Sequence, residues 1–113
     1  MHEMAIAQGI LEIALDTAAS HGAGKITRVR VLAGELTGVV PEALDFGFNA
    51  LAAGTIAAGA CLAVQVIPLM GRCRDCGQLD NISKYRFICE QCGSSAIDIV
   101  SGRELTVESV EVE

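Results

Sequence analysis

Aromatic residues are scarce in this sequence, which has no tryptophan, one tyrosine and three phenylalanines among 113 residues. Because 51% of the residues are nevertheless hydrophobic, the core has to be built from aliphatic side chains. The chain is long enough for one such core and a small additional module, but too short for two full domains. Basic runs are absent as well, and the formal net charge is −6. Since proteins that bind nucleic acid usually carry clustered lysine and arginine, the composition argues against nucleic-acid binding, and no nucleic-acid partner is expected.

Long apolar runs are also missing. The most hydrophobic region, residues 51–69, is a poor candidate for a membrane span, because it is interrupted by Gly54, Gly59, Gln65 and Pro68. The first residues lack the basic start and continuous apolar stretch of a secretory signal. We therefore expect a cytoplasmic protein with no membrane association. In that compartment the five cysteines are expected to be metal ligands or free thiols rather than disulfides.

Hydrophobic periodicity predicts a first helix over residues 3–20. Gly22 and Gly24 follow its last turn and are expected to end it. Its predicted buried face consists of Ile6, Ile10, Ile13 and Thr17.

Alternating hydrophobic residues predict three strands, which cover residues 25–33, 61–68 and 104–113. A second helix is predicted between the first two strands. It begins at Pro41, because proline is tolerated at the first helical position, and it ends at Gly54. Since this connection is long, the two strands can be parallel. The alternation in the third strand slips between Val107 and Val110, which indicates a bulge. This order predicts an α+β fold with a cysteine-rich module inserted before the last strand.

The cysteine-rich module contains two matched C-x-x-C-G motifs, whose members are Cys73, Cys76, Gly77, Cys89, Cys92 and Gly93. In each motif both thiolates can face one ion, and the glycine permits the tight turn that this requires. Two such turns supply the tetrahedral array of four thiolates that structural Zn²⁺ accepts. Rubredoxin-like iron, a redox dithiol and a metal-free cluster are alternatives. Structural zinc is preferred, because two matched motifs are hard to obtain by chance and a thioredoxin-like motif normally occurs once.

Other residues of the second half receive simpler interpretations. The twelve residues between the two motifs are predicted to form a short hairpin, with Tyr85, Phe87 and Ile88 as its apolar cover. Cys61 is expected to be a small buried hydrophobic residue of the second strand. Glu35, in the loop after the first strand, is expected to be a solvated carboxylate.

The amino terminus offers a second set of metal donors. The free α-amine of Met1, the first backbone amides and the His2 imidazole can form small chelate rings around one ion, and Glu3 can add an oxygen. Nitrogen donors of this kind suit Ni²⁺ or Cu²⁺. From the residues alone, a solvated terminal histidine is the simpler interpretation, and Glu3 can equally favour the positive end of the first helix. The other histidine, His21, is explained by the negative end of that helix.

The chain resembles the HypA/HybF family of accessory proteins that insert nickel during NiFe hydrogenase maturation. The resemblance covers essentially the whole sequence. It rests on the opening Met1-His2-Glu3-Met4, on GELTGVVPEALDFGF at residues 34–48, on the two C-x-x-C-G motifs and on SGRELTVESVEVE at residues 101–113.

The resemblance implies a metallochaperone rather than an enzyme. Its expected architecture is two helices packed on a small mixed three-stranded sheet, with an inserted zinc-ribbon-like module of four cysteines. The nickel-binding α+β domain is expected at residues 1–69 plus 102–113, and the zinc-binding module at residues 70–101. His2 is implied as the essential ligand of transferred Ni(II), with Met1 and Glu3 as further candidates. The implied ligands of structural Zn(II) are Cys73, Cys76, Cys89 and Cys92.

The implied partners are a HypB-type GTPase and the hydrogenase large-subunit precursor, and some members of the family also serve urease. Two other functional classes remain open on the motifs themselves. A zinc-ribbon adaptor that binds protein or nucleic acid needs only the two cysteine motifs. A rubredoxin-like electron carrier needs iron in the same four-thiolate site.

Overall fold

The computed structural model describes residues 3–113 and contains two α-helices. Helix α1 covers Glu3–Ser20 and helix α2 covers Pro41–Ala52, with a short 3₁₀-helix at Glu35–Thr37 between them. The predicted start of α2 is confirmed, because Pro41 occupies the first helical turn. Neither helix combines the length and apolar character that crossing a bilayer requires, and no other helix of residues 3–113 does so.

Six strands form two separate three-stranded sheets. In chain order they are β1 Ile26–Gly34, β2 Cys61–Ile67, β3 Met70–Cys73, β4 Leu79–Asn81, β5 Ile97–Ser101 and β6 Leu105–Val112. The first sheet has the order β2-β1-β6 and the second has the order β4-β3-β5.

The first sheet is mixed, as expected. Strand β1 is central, pairs in parallel with β2 from Arg28↔Cys61 onward and pairs antiparallel with β6. The register with β6 shifts between Arg30 and Val31, which places the bulge at Glu108. The bulge predicted between Val107 and Val110 is therefore confirmed, and so is the α+β class with two helices against a mixed three-stranded sheet.

The core lies between the two helices and one face of this sheet. On the sheet side it is built from Ile26, Val29, Val31 and Leu62, and on the α2 side from Leu44 and Phe48. The predicted buried face of α1 is only partly correct. The buried residues of α1 are Ala7, Ile10, Leu11, Ala14 and Ala18.

Small side chains explain why the buried face of α1 differs from the predicted one. Gly47 of α2 packs directly against α1, since a Cβ at this position would lie 2.8 Å from the Met4 sulfur and 3.5 Å from the Ala7 Cβ. Alanines on α1 permit this close approach, and as a result Ile13 is turned outward and is 51% exposed. Residue size, rather than hydrophobicity alone, therefore selects the buried face.

The second sheet is antiparallel and surrounds the cysteine motifs. Strand β3 pairs with β4 through Met70↔Asn81 and with β5 through Cys73↔Ile97. The predicted hairpin between the two motifs is wrong, because the antiparallel pair closes around the first motif instead. Tyr85 and Ile88 are exposed, and Ile82 is the buried apolar residue of this region.

The two sheets meet at a tight junction of backbone contacts. The Leu36 N–H donates to the Gly102 carbonyl at 2.8 Å. The Glu35 Oε1 accepts a 2.8 Å hydrogen bond from the Leu69 N–H. A Cβ at Gly34 would overlap the Gly102 carbonyl, so only glycine fits there. The expectation for Glu35 is therefore incomplete: its side chain is exposed, but its carboxylate bonds to the chain segment that enters the second sheet.

Candidate metal centres

The four cysteines of the two motifs converge in space. All four Sγ atoms lie within 4.8 Å of one another. The Sγ atoms of Cys73 and Cys92 are 3.6 Å apart, and those of Cys76 and Cys89 are 3.5 Å apart. The structure thus brings together the four thiols that the sequence singled out, although the motifs are twelve residues apart in the chain.

The two motifs repeat one backbone geometry. The N–H of Gly77 donates to the Cys73 carbonyl, and the N–H of Gly93 donates to the Cys89 carbonyl, each at 2.9 Å. In both motifs the N–H of the first cysteine donates to the carbonyl of the residue after the glycine, at 2.9 and 2.8 Å. The two glycines have φ values of 80° and 75°, a left-handed conformation in which a side chain is unfavourable. Each glycine therefore closes the turn that directs a pair of sulfurs to the same point.

Backbone N–H groups favour thiolate at the motifs, while crowding of the sulfurs opposes it. The N–H of Cys76, assisted by that of Asp75, outweighs desolvation and lowers the pKa of Cys73 to about 7. At Cys92 the N–H of Ser94 acts in the same direction, but hydrogen bonding to Cys73 and desolvation outweigh it and raise the pKa to about 12. Four adjacent sulfurs cannot all carry negative charge without a compensating cation. This arrangement is the electrostatic setting of a metal site.

The donor set fits a structural zinc ion. Zn–S bonds of about 2.3 Å in a tetrahedron hold the sulfurs about 3.8 Å apart, which is close to the 3.5 and 3.6 Å observed. A disulfide bond would need about 2.05 Å, and all four cysteines are free. Cys73 and Cys89 are buried, while Cys76 and Cys92 are exposed. Because four protein thiolates fill the coordination shell, such a site has no open position for a catalytic water.

A contact that the sequence did not reveal connects the two motifs. The Ser94 hydroxyl donates to the Asp75 carboxylate, and the Ala96 N–H donates to the Ser94 oxygen at 3.0 Å. The Arg74 N–H in turn donates to the Ala96 carbonyl at 2.8 Å. A hydroxyl directly after the second motif's glycine was the available signal, because serine commonly stabilises turns in this way. These bonds fix the second motif against the first.

The predicted nickel site lies at the edge of the described chain. Met1 and His2 are outside the described residues. Glu3 is half-buried at the start of α1, and its Oε2 accepts a 3.4 Å hydrogen bond from the Val40 N–H. Val40 directly precedes α2, so this bond places the Glu3 carboxylate beside the first turn of the other helix.

Two residues outside these centres also had sequence-based interpretations. Cys61 is exposed, so the expectation of a buried residue is wrong. It pairs with Arg28 on the sheet face away from the helices, while the next residue, Leu62, faces the core. His21 behaves as expected at the end of α1, where its Nδ1 lies 2.9 Å from the Thr17 carbonyl.

Comparison with known proteins identifies the family. The family model described as hydrogenase/urease nickel incorporation metallochaperone HypA matches residues 1–112. The hydrogenase maturation factor HypA of Chlorobaculum tepidum is 42% identical over 113 residues, which is the full length of both chains. That of Geobacter sulfurreducens is also 42% identical over 113 residues and the full length of both.

Solved structures show the same fold. The solution structure of the Ni metallochaperone HypA from Helicobacter pylori is 23% identical, with a TM-score of 0.67 over 99% of this chain and 97% of that one. A second HypA solution structure, also 23% identical, has a TM-score of 0.73 over 100% of this chain and 97% of that one. The chain therefore belongs to the HypA family, and it is a metallochaperone of hydrogenase maturation rather than an enzyme.

Proposed function

We propose that the chain binds Ni(II) at its amino terminus and delivers it during maturation of NiFe hydrogenase. His2 is the essential ligand, and the Met1 amine and the Glu3 carboxylate are further candidates. The observation that carries this proposal is the family match, which extends over residues 1–112 and so includes the chain start. It favours a nickel carrier over a zinc-ribbon adaptor or a rubredoxin-like electron carrier.

The position of Glu3 supports a site at the terminus. Its carboxylate accepts a hydrogen bond from the Val40 N–H that at 3.4 Å is long and therefore weak. Since this bond is weak, a carboxylate one residue after His2 can turn toward an ion bound at the chain start. Nitrogen donors from the terminus and an oxygen from Glu3 would form a set that suits Ni²⁺.

The four-cysteine centre serves a structural role in this proposal. Cys73, Cys76, Cys89 and Cys92 hold Zn(II), which crosslinks the two motifs and supplies no reaction chemistry. The Ser94–Asp75 hydrogen bond and the two glycine turns hold these sulfurs in position.

Nickel moves by ligand exchange in this mechanism. A terminal site can be approached from several sides, so a partner's ligands can replace those of the carrier one at a time. We propose that a HypB-type GTPase and the hydrogenase large-subunit precursor are the partners in this exchange. The family description names urease alongside hydrogenase. Transfer is proposed to occur in the cytoplasm.

A competition titration tests the nickel site. The zinc-loaded chain with its native amino terminus is compared with His2→Ala, with a chromogenic chelator competing for Ni(II). His21→Ala is the matched control, because His21 is the other histidine and lies at the opposite end of α1. We expect tight nickel binding to disappear in His2→Ala and to persist in His21→Ala. Equal binding by all three proteins would refute the site.

A second variant tests the role of the free amine. A Gly-Ser extension before Met1 leaves every side chain in place but moves the α-amine away from His2. We expect the extended chain to bind nickel more weakly than the native chain. Unchanged affinity would remove Met1 from the proposed ligand set while leaving His2 in it.

A further inference from the structure

An apolar groove of about 460 Å³ runs between α1 and β6. Its helix side is formed by Ile6, Gly9, Ile10 and Ile13, and its sheet side by Leu105 and Val107 among others. Ile13 is 51% exposed and Leu105 is 39% exposed, so large hydrophobic side chains face solvent here. The groove lies away from the four cysteines.

The groove opens along an unpaired sheet edge. Strand β6 pairs with β1 on one side and, within residues 3–113, with no strand on the other. The outer edge therefore presents backbone N–H and C=O groups that another strand can pair with. Leu105 and Val107 lie opposite the buried Ala33 and Val31 of β1, so their side chains share the helix-facing side with the groove.

A glycine in the middle of α1 marks the floor of the groove. Gly9 costs the helix about 0.8–1 kcal/mol relative to alanine. Among residues 3–113 nothing requires it, because a Cβ at this position would meet none of their atoms within 4 Å. Glycine in such a place permits close approach by another chain. The open edge and the missing side chain thus point independently to an occupant that lies in the groove.

The charges of β6 define the chemistry of that occupant. The strand carries Glu108 and Glu111 and no lysine or arginine. Both glutamates lie on the sheet face away from the helices, where they approach Arg30 and Arg28 at 3.6 and 3.7 Å and remain about half-exposed. A second copy pairing antiparallel through β6 with Glu108 opposite Glu111 would bring like charges together, which is unfavourable. A strand with lysine or arginine on that face would instead be attracted.

We propose that β6 and the groove beside it bind an extended segment of a partner protein in which apolar and basic residues alternate. The segment adds a fourth strand to the sheet next to β6. Its apolar side chains enter the groove over Gly9, and its basic side chains lie beside Glu108 and Glu111. Edge pairing supplies affinity, and the two-residue periodicity supplies selectivity.

The probe is a blocked peptide as long as β6, eight residues, in which valine and lysine alternate. Backbone amide shifts of the zinc-loaded full chain are followed by NMR up to about 1 mM peptide, so that millimolar complexes are detected. Control peptides alternate valine with glutamate, or hold the same valines and lysines in two separate blocks. Gly9→Leu places a large side chain in the groove, and its Cβ would meet no described atom within 4 Å. Gln8→Leu places the same side chain on an exposed position of the same helix, outside the groove.

We expect shifts at β6 and α1, and a loss of affinity of at least about tenfold in Gly9→Leu but not in Gln8→Leu. Ile13→Lys is expected to weaken binding as well, because it adds a like charge to the groove. The proposal is overturned if the valine–lysine peptide does not bind, if either control peptide binds equally well, or if Gly9→Leu binds as tightly as Gln8→Leu. Concentration-dependent dimerisation that Gly9→Leu abolishes would replace the proposed partner with a second copy.

Discussion

Removing the metal should unfold the four-cysteine region and leave the helices intact. The reason is the distribution of apolar burial. In the described part of the chain the main core cluster contains 14 buried residues, none of them between residues 70 and 101. Near the motifs the large apolar side chains that are almost fully buried are Leu69 and Ile82, at 2% and 7% exposure.

A comparison of free energies indicates that the metal is the main source of order in the four-cysteine region. Burying one such side chain contributes about 1.5–3 kcal/mol, whereas structural zinc contributes about 10–16 kcal/mol in zinc-finger peptides. Without the ion, two buried side chains have to offset the conformational entropy of the whole region, at about 1–2 kcal/mol per residue. The helices, of 18 and 12 residues, depend on the main core instead.

The assay is amide hydrogen exchange on the reduced chain before and after chelation, with mass spectrometry to establish the metal content. Protection of the Cys73 and Cys89 N–H groups, which bond to carbonyls across their turns, should be lost. The helical circular dichroism signal should remain. Cys73→Ser should behave like the chelated chain, while Cys61→Ser, outside the cluster, should behave like the loaded one. Continued protection of both amides in metal-free protein would refute the reasoning.

Three further predictions concern single positions. Gly34→Ala should lower the free energy of unfolding in urea by at least about 1–3 kcal/mol, because its Cβ would overlap the Gly102 carbonyl. An unchanged free energy of unfolding would show that the backbone of the junction shifts to accommodate the Cβ. Phe48→Ala should cost about 3–5 kcal/mol, since Phe48 is 0% exposed. Phe46→Ala, at 74% exposure, should change stability by less than about 0.5 kcal/mol, and equal losses would contradict the assigned core. Nickel affinity should rise with pH, because the His2 imidazole and the terminal amine must lose protons to bind; a flat profile in a pH-stepped competition titration would argue against nitrogen ligands.

Sequence periodicity predicted the elements better than it predicted their packing. The bounds of α1 and the start of α2 followed from helix signals, and the bulge in β6 followed from a break in alternation. The buried face of α1 did not follow, because Ala7 is buried where Gly47 allows the helices to approach closely. Which face of α1 is buried depends on the shape of α2, and the hydrophobic pattern of α1 alone does not contain that information.

The clustering of the four cysteines was the most predictable part of the molecule. Two C-x-x-C-G motifs define their own turns, so the clustering of the cysteines required little tertiary information. The hydrogen bond that stabilises the cluster could not be predicted from the sequence, because Asp75 and Ser94 meet only after the two motifs have come together. The strand pairing around the first motif was likewise missed, because β4 contains only three residues and no buried ones.

The position of β6 in the first sheet also constrains the order of folding. Central strand β1 pairs with a strand near the other end of the chain, from Ile26↔Val112 to Ala33↔Leu105. During synthesis the helices and the β1–β2 pair can therefore form well before the sheet is complete. Closing so long a loop is entropically costly and slows folding. The cysteine region lies between these partners, and the Ser101 hydroxyl at its end donates to the Pro68 carbonyl at its start. Metal binding by the four cysteines would order this region and thus bring β6 closer to β1 during folding.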